Sequence, residues 1–143
     1  MTLITGQELP AYPVPKLRKK ISCQTVFWSV VMNMPVLLPP ARQVLDELKH
    51  GLAALYGERL AGVYLYGSYA RGEAISGESD LDVLVVLKGD VLGGREIARM
   101  GSLASAISME HDLLISTMPV SAESFESLRT PFLDNAREDA VPL

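Results

Sequence analysis

The hydrophobic positions that follow residue 38 predict a helix. Pro39 and Pro40 suit the first turn of a helix, where the missing N–H of proline is not needed. Apolar residues then recur at the three-and-four spacing of an amphipathic helix. They are Ala41, Val44, Leu45, Leu48, Leu52 and Leu55. Gly57 is a suitable stop, so the first element is predicted to end there.

Two short apolar runs, residues 60–66 and 81–87, are rich in β-branched and aromatic side chains and predict strands. The connection between them, residues 67–79, is rich in Gly and Ser and has room for one helical turn.

The second half of the chain predicts another helix and another strand. Residues 95–109 place apolar side chains on one helical face, and residues 112–118 form a third apolar run that Pro119 is expected to end. The helical face consists of Ile97, Met100, Leu103, Ala104 and Ile107.

Two short helices are predicted near the end of the chain. One is capped by Ser121 and reaches Leu128, and the other covers residues 131–139 behind Thr130. The order of elements predicts an α/β fold with a small mixed β-sheet and helices packed on it. Since a helix joins the second and third strands, those two strands are expected to be parallel.

Charge divides the chain into two parts. Residues 1–40 carry four basic residues against one acidic residue, a net charge of +3, whereas the rest carries nine against sixteen, a net charge of −7. An acidic body repels a phosphate backbone, so direct nucleic-acid binding is not expected. We predict an N-terminal extension over residues 1–38 and one domain over residues 39–143.

The extension leaves two interpretations open. Basic residues 16–20 precede an apolar stretch at 21–34, which loosely resembles a secretion signal. Polar residues interrupt that stretch, so a poorly ordered extension is favoured. The single cysteine, Cys23, indicates a reducing cytoplasm, and the chain has no apolar run long enough to span a membrane.

Gly67 and Ser68 directly follow the first strand. Glycine lets backbone N–H groups approach an anion closely, and the serine hydroxyl adds a donor. For this pair alone an ordinary turn is the favoured explanation, so the pair indicates phosphate binding only together with other features.

Asp80 and Asp82 stand where the second strand begins. Residues two apart in a strand lie on the same face, so both carboxylates point to one side. Two such carboxylates repel each other unless a cation lies between them, and Mg²⁺ prefers carboxylate oxygens and substrate phosphates. The alternative is an exposed strand end with two solvated carboxylates.

Asp112 is predicted to begin the third strand, on one face with Leu114 and Ser116. If this strand lies beside the second, Asp112 joins Asp80 and Asp82. Three carboxylates can hold two metal ions at a reacting phosphorus, and Asp112 could also accept a proton from the attacking hydroxyl.

Residues 67–74 and 79–86 together read GSYARGEA and SDLDVLVV. They resemble the signature of the polymerase β-like nucleotidyltransferase superfamily, and most closely its minimal nucleotidyltransferases, which include antitoxins paired with HEPN-domain toxins. The similarity extends over roughly residues 41–140. One departure is the eleven-residue spacing between Ser68 and Asp80, where ten is usual, and the extra residue is expected in a loop.

The resemblance implies roles for six residues. Gly67 and Ser68 would hold the triphosphate of ATP or another NTP. Asp80, Asp82 and Asp112 would be catalytic and would bind Mg²⁺, most simply as a two-metal site. Arg71 would neutralise a phosphate or, equally, stabilise the fold by bonding to nearby backbone carbonyls.

The resemblance also implies a function: transfer of a nucleotide, AMP from ATP, to a hydroxyl on a partner protein such as a HEPN ribonuclease toxin. The alternatives are an antitoxin that acts by contact alone and an enzyme that modifies a small molecule, as aminoglycoside nucleotidyltransferases do. Tyr64 and Tyr66 share one strand face, which favours packing in the core or between subunits of a homo-oligomer over stacking on a base.

Overall fold

The first helix begins at its two prolines, as predicted. The computed structural model describes residues 39–143, and the predictions made for residues 1–38 lie outside the described residues. Helix α1 is Pro39–Tyr56. It ends before Gly57, whose φ of 54° starts a short 3-10 turn, Gly57–Arg59. The helix buries one stripe of side chains: Ala41, Val44, Leu45, Leu48, Leu52 and Tyr56.

The next two strands also have the predicted bounds. Strand β1 is Leu60–Tyr66 and strand β2 is Leu81–Leu87, with helix α2, Gly67–Arg71, directly after β1. The strands are antiparallel, and their pairing runs from Leu60 opposite Leu87 to Tyr66 opposite Asp82.

The remaining elements are helix α3 (Gly93–His111), strand β3 (Ile115–Ser121), helices α4 (Ala122–Ser127) and α5 (Pro131–Asp139), and strand β4 (Val141–Pro142). The sheet has the order β3-β2-β1-β4. Strands β2 and β3 are parallel, as the helical crossover predicts, and β4 is antiparallel to β1. The predicted mixed sheet with packed helices is therefore confirmed. Strand β4 is too short to leave a periodic pattern in the sequence.

The bounds predicted for the third strand are wrong. Strand β3 starts at Ile115, three residues later than expected, and runs through Pro119. Because β3 is an edge strand, half of its N–H groups point away from any partner strand and form no ladder hydrogen bond, so a proline is tolerated. Asp112 is instead the C-cap of α3, with φ 51° and ψ 42°, a left-handed conformation that Asp adopts more readily than most residues.

Helices cover both faces of the sheet. Residues 81, 83, 85 and 87 of β2 face a core that α1 and α3 complete. The opposite side of β2 contributes Leu84 and Val86, which pack with Phe125 of α4 and with Tyr64 and Tyr66 of β1. Every residue of β2 except Asp82 is buried. Since a fully buried aliphatic side chain contributes about 1.5–3 kcal/mol, β2 is a rigid support for that carboxylate.

The buried face of helix α3 is the predicted one except near its start, and Leu103 packs against the core as a partly buried residue. Met100, Ala104 and Ile107 are buried as expected, but Ile97 is 47% exposed and Glu96 is only 3% exposed. The Tyr56 hydroxyl donates to Glu96 Oε2 at 2.8 Å, and Arg59 Nη1 lies 3.4 Å from Glu96 Oε1. These partners from α1 and the turn after it make the burial of a carboxylate tolerable. Burial of the Tyr56 hydroxyl, and secondly its hydrogen bond to the Glu96 carboxylate, raise the pKa of Tyr56 to about 12.

Both short helices begin as predicted. The Ser121 side chain accepts a hydrogen bond from the Ser124 N–H, and the Thr130 side chain accepts one from the Leu133 N–H. These side-chain caps supply partners for N–H groups that a helix start leaves free.

Candidate active site

Gly67 occupies a position that strongly disfavours a larger residue. It follows β1 at the point where Tyr66 pairs with Asp82, and its φ is 75°. A β-carbon on residue 67 would lie 2.5 Å from Asp82 Oδ2, closer than van der Waals contact allows. A larger residue would strain the backbone and displace the carboxylate, so glycine is favoured here on both counts.

The Asp82 carboxyl group has a raised pKa. Burial is the larger cause and the nearby charge of Asp80 is the second, whereas Arg71 acts in the opposite direction. Asp80 lies just before β2 and is exposed. The Asp80 charge beside the half-buried Asp82 carboxylate makes a site of concentrated negative charge at one end of β2.

This donor set fits a divalent cation. A half-buried and an exposed carboxylate beside the glycine turn supply the oxygen ligands that Mg²⁺ prefers. Two carboxylates would leave other coordination positions of the ion for phosphate oxygens. A bound cation would also remove the repulsion between Asp80 and Asp82, which nothing in the strand itself relieves.

Arg71 already has carboxylate partners. Its Nε donates to Glu73 Oε2 at 2.8 Å, and its Nη1 donates to Asp139 Oδ2, at the end of α5, at 2.6 Å. The guanidinium group is exposed and its charge acts on Asp82. Arg71 thus connects the glycine turn to the last helix while it lies in the field of the site. The alternative stabilising role was expected to use backbone carbonyls, and the partners are carboxylates instead.

Ser68 is the second residue of α2, directly after Gly67, and it is half-buried. Its carbonyl accepts the N–H of Glu73 at 2.9 Å, which closes the turn that follows the helix. The connection from Gly72 to Asp80 contains no helix or strand, so the segment in which the extra residue is expected is a loop.

Asp112 does not join Asp80 and Asp82 in a common ligand group. Within residues 39–143, the three carboxylates do not come within 4.8 Å of one another, whereas one other group of acidic and histidine side chains does. The strand geometry from which we expected Asp112 to converge is absent, because the residue caps a helix. Its role as a metal ligand stays a prediction that rests on the family resemblance.

The strand register places a different residue beside Asp82. Ser116 of β3 pairs with Asp82 in the parallel ladder and therefore lies on the same face of the sheet, with an exposed side chain. Ser116 is the second residue of β3, as Asp82 is of β2, so this pairing could have been predicted from two parallel strands that start level with each other. That prediction required the correct start of β3.

The group that does come together is Glu47, Glu110 and His111, at the contact of α1 with α3. His111 Nε2 lies 2.8 Å from Glu47 Oε2, so one hydrogen-bonded pair accounts for much of this arrangement. The group links two helices and lies on neither of the strands that carry the predicted motif.

Aromatic side chains border the site on the Asp82 face of the sheet. The Tyr64 ring lies 5.2 Å from that of Phe125, and both belong to the second core cluster, which confirms the core role predicted for Tyr64 and Tyr66. Tyr66 also contacts Phe132 of α5, with 5.7 Å between ring centroids and an interplanar angle of 87°. Burial, with a smaller effect of Asp82, raises the pKa of Tyr66.

The described helices include none that is long and apolar enough to cross a membrane.

Known proteins resemble the chain over most of the described region. The family model for the nucleotidyltransferase domain matches residues 45–137. A protein of Methanocaldococcus jannaschii named as a putative protein adenylyltransferase is 31% identical over 99 residues, which cover 69% of this chain and 94% of that protein. A crystal structure of a putative nucleotidyltransferase from Sulfolobus solfataricus aligns with a TM-score of 0.48 and 18% identity, covering 89% of this chain and 90% of that one.

Proposed function

The chain belongs to the nucleotidyltransferase domain family, and we propose that it transfers AMP from ATP, with Mg²⁺, to a hydroxyl group on a partner protein. Membership confirms the resemblance to a minimal nucleotidyltransferase and makes the chain a nucleotidyltransferase enzyme. The finer statements, on the metal, the nucleotide and the acceptor, are the proposal. The observation that carries it is the close approach of the Asp82 carboxylate to Gly67, with the charge of Asp80 acting on that carboxylate.

In this proposal Asp80 and Asp82 hold Mg²⁺, while Gly67 and Ser68 bind the triphosphate. A bound Mg²⁺ would neutralise charge on the phosphates and on the leaving group. The Arg71 guanidinium, in whose field Asp82 lies, would exchange a carboxylate partner for a phosphate oxygen when the nucleotide binds. Asp112 would act only if it moved closer to the site.

The chemical step is a displacement at the α-phosphorus of ATP. The acceptor hydroxyl oxygen forms a bond to that phosphorus, the bond to the bridging oxygen of the β-phosphate breaks, and pyrophosphate leaves. The hydroxyl proton passes to a nearby carboxylate or to water. In-line geometry requires a fixed triphosphate, which the rigid end of β1 and the turn at Gly67 would supply.

The name of the M. jannaschii relative supports a protein as acceptor. The antitoxin branch that the motif resembles suggests a HEPN-domain ribonuclease and one of its tyrosines. In this proposal the partner protein supplies the acceptor hydroxyl.

A co-expression experiment tests this proposal. A HEPN-domain ribonuclease is co-expressed with the wild-type chain or with Asp82→Asn, purified and examined by mass spectrometry. A tyrosine carrying one AMP, present with the wild-type chain and absent with the variant, is the expected result. Neutralisation of the ribonuclease by both chains without any modification would favour the contact antitoxin. Transfer of labelled AMP from ATP to a small molecule alone would favour the small-molecule enzyme.

A further inference from the structure

Phe132 is an exposed aromatic residue that the packing of its own helix does not require. It lies in the first turn of α5, and its side chain is 42% exposed. Helix α5 buries Leu133 and Ala136 against the domain, which leaves Phe132 outside its buried stripe. An apolar ring held at the surface in this way costs free energy unless something covers it.

The ring lies beside the predicted phosphate and metal site. Phe132 contacts Tyr66, and Tyr66 is both the strand partner of Asp82 and the residue before Gly67. Tyr66 and Asp82 share one face of the sheet, so Phe132 covers the Asp82 face at the Asp82 end of β2. The T-shaped contact occupies at most one face of the Phe132 ring.

We propose that the free face of Phe132 stacks on the purine base of the bound nucleoside triphosphate. This inference rests on the proposed function, because it needs the triphosphate to lie at Gly67 and Asp82. A nucleotide held there by its phosphates extends its base away from the turn. Phe132 is an exposed aromatic ring in contact with Tyr66, the residue that precedes the turn and pairs with Asp82. Tyr66 then holds the ring in place rather than stacking itself.

Stacking has a consequence for specificity. Every base has an aromatic face, so stacking alone tolerates different bases and favours the larger purines. We therefore expect ATP and GTP to bind with similar affinity and UTP to bind more weakly.

The test compares a ligand that has a base with one that lacks it. Binding of Mg·ATP and of Mg·tripolyphosphate is measured by calorimetry for the wild-type chain and for Phe132→Ala. Loss of one stacked base is expected to weaken Mg·ATP binding by about tenfold and to leave Mg·tripolyphosphate binding unchanged. The control is Leu128→Ala, which removes a similarly exposed apolar side chain that lines a cleft at the far end of β3 and should change neither affinity.

Two further variants separate stacking from a general apolar contact. Phe132→Trp should keep or increase the affinity for Mg·ATP. Phe132→Leu should weaken that affinity as much as Phe132→Ala does. Thermal melts verify that each variant is folded.

Three results would overturn the inference. One is an affinity for Mg·ATP that is unchanged in folded Phe132→Ala, and another is an equal loss for both ligands. The third is a wild-type chain that binds neither ligand, which would overturn the proposed function as well. Unchanged binding in Phe132→Ala together with loss of both ligands in Asp82→Asn would refute the stacking alone.

Discussion

Gly67 and Asp82 are in contact across the end of the first two strands, and a β-carbon on residue 67 would lie 2.5 Å from Asp82 Oδ2. The pairing of Tyr66 with Asp82 fixes this contact, because it brings the turn that follows β1 against the strand that carries the carboxylate. The turn and the carboxylate therefore form one structural unit, and a change in either should displace the other.

Gly67→Ala should abolish nucleotide transfer. The substitution places a methyl group against the Asp82 carboxylate and also strains a backbone with φ of 75°. Gly72→Ala is the matched control, because Gly72 has φ of 73° but no atom within 4 Å of its β-carbon position. The strain alone should cost about 1–2 kcal/mol in each variant, so Gly72→Ala should lose stability and keep its activity. Urea denaturation and a transfer assay measure the two effects; equal activity in both variants would contradict the contact argument.

Asp82→Asn should stabilise the metal-free chain near neutral pH. The folded state raises the pKa of Asp82, so it binds more protons than the unfolded state between the ordinary carboxyl pKa and the raised one. The free energy of unfolding therefore falls as pH rises through that window, and the charged carboxylate lowers stability above it. The amide should flatten this decline. Denaturation across acidic to neutral pH is the measurement.

The same experiment with Mg²⁺ adds a second comparison. Mg²⁺ should raise the melting temperature of the wild-type chain, because it binds the folded state only. Asp80→Asn should lose this rise as Asp82→Asn does, but with a smaller effect on metal-free stability since Asp80 is exposed. A full Mg²⁺ response in both variants would exclude these residues as ligands.

Ser68→Ala should weaken Mg·ATP binding by about ten- to a hundredfold. The variant loses one hydrogen bond to a charged phosphate, which contributes on the order of 1.5–3 kcal/mol. Ser68→Asp should bind still more weakly because it sets a carboxylate against phosphate. Titrations with Mg·ATP and with a partner protein are run on each variant. Loss of partner binding with unchanged nucleotide binding would contradict the role proposed for Ser68.

Tyr56→Phe should destabilise the domain by about 1.5–3 kcal/mol, because it leaves Glu96 without a hydrogen bond from a buried hydroxyl. In the wild-type chain the pKa of Tyr56 is about 12 against an ordinary 10.0, so the folded state keeps this proton longer than the unfolded state. Stability should therefore fall as pH rises from about 10 to 12. The difference in phenolate absorbance between the wild-type chain and Tyr56→Phe reports the titration directly. A midpoint at the ordinary value would show that Glu96 and burial do not act on Tyr56.

The elements with strong local patterns could be predicted from the sequence alone. Helix α1 begins at its prolines, and β1 and β2 have the expected bounds, because each pattern is complete within its own segment. The pairing of Gly67 with the Asp80 and Asp82 segment was likewise accessible as a motif, since it depends on one turn and one strand that are close in sequence.

Tertiary structure decided the third strand and everything that depends on it. Pro119 could lie inside β3 only because that strand is at the edge of the sheet, and Asp112 could cap α3 only because the helix runs on to His111. The start of β3 at Ile115 then brings Ser116, and not Asp112, beside Asp82. Glu96 can be buried because Tyr56 and Arg59, forty and thirty-seven residues earlier in the chain, donate hydrogen bonds to its carboxylate. Contacts of this kind leave no periodic signal, since they depend on which distant segment the fold brings alongside.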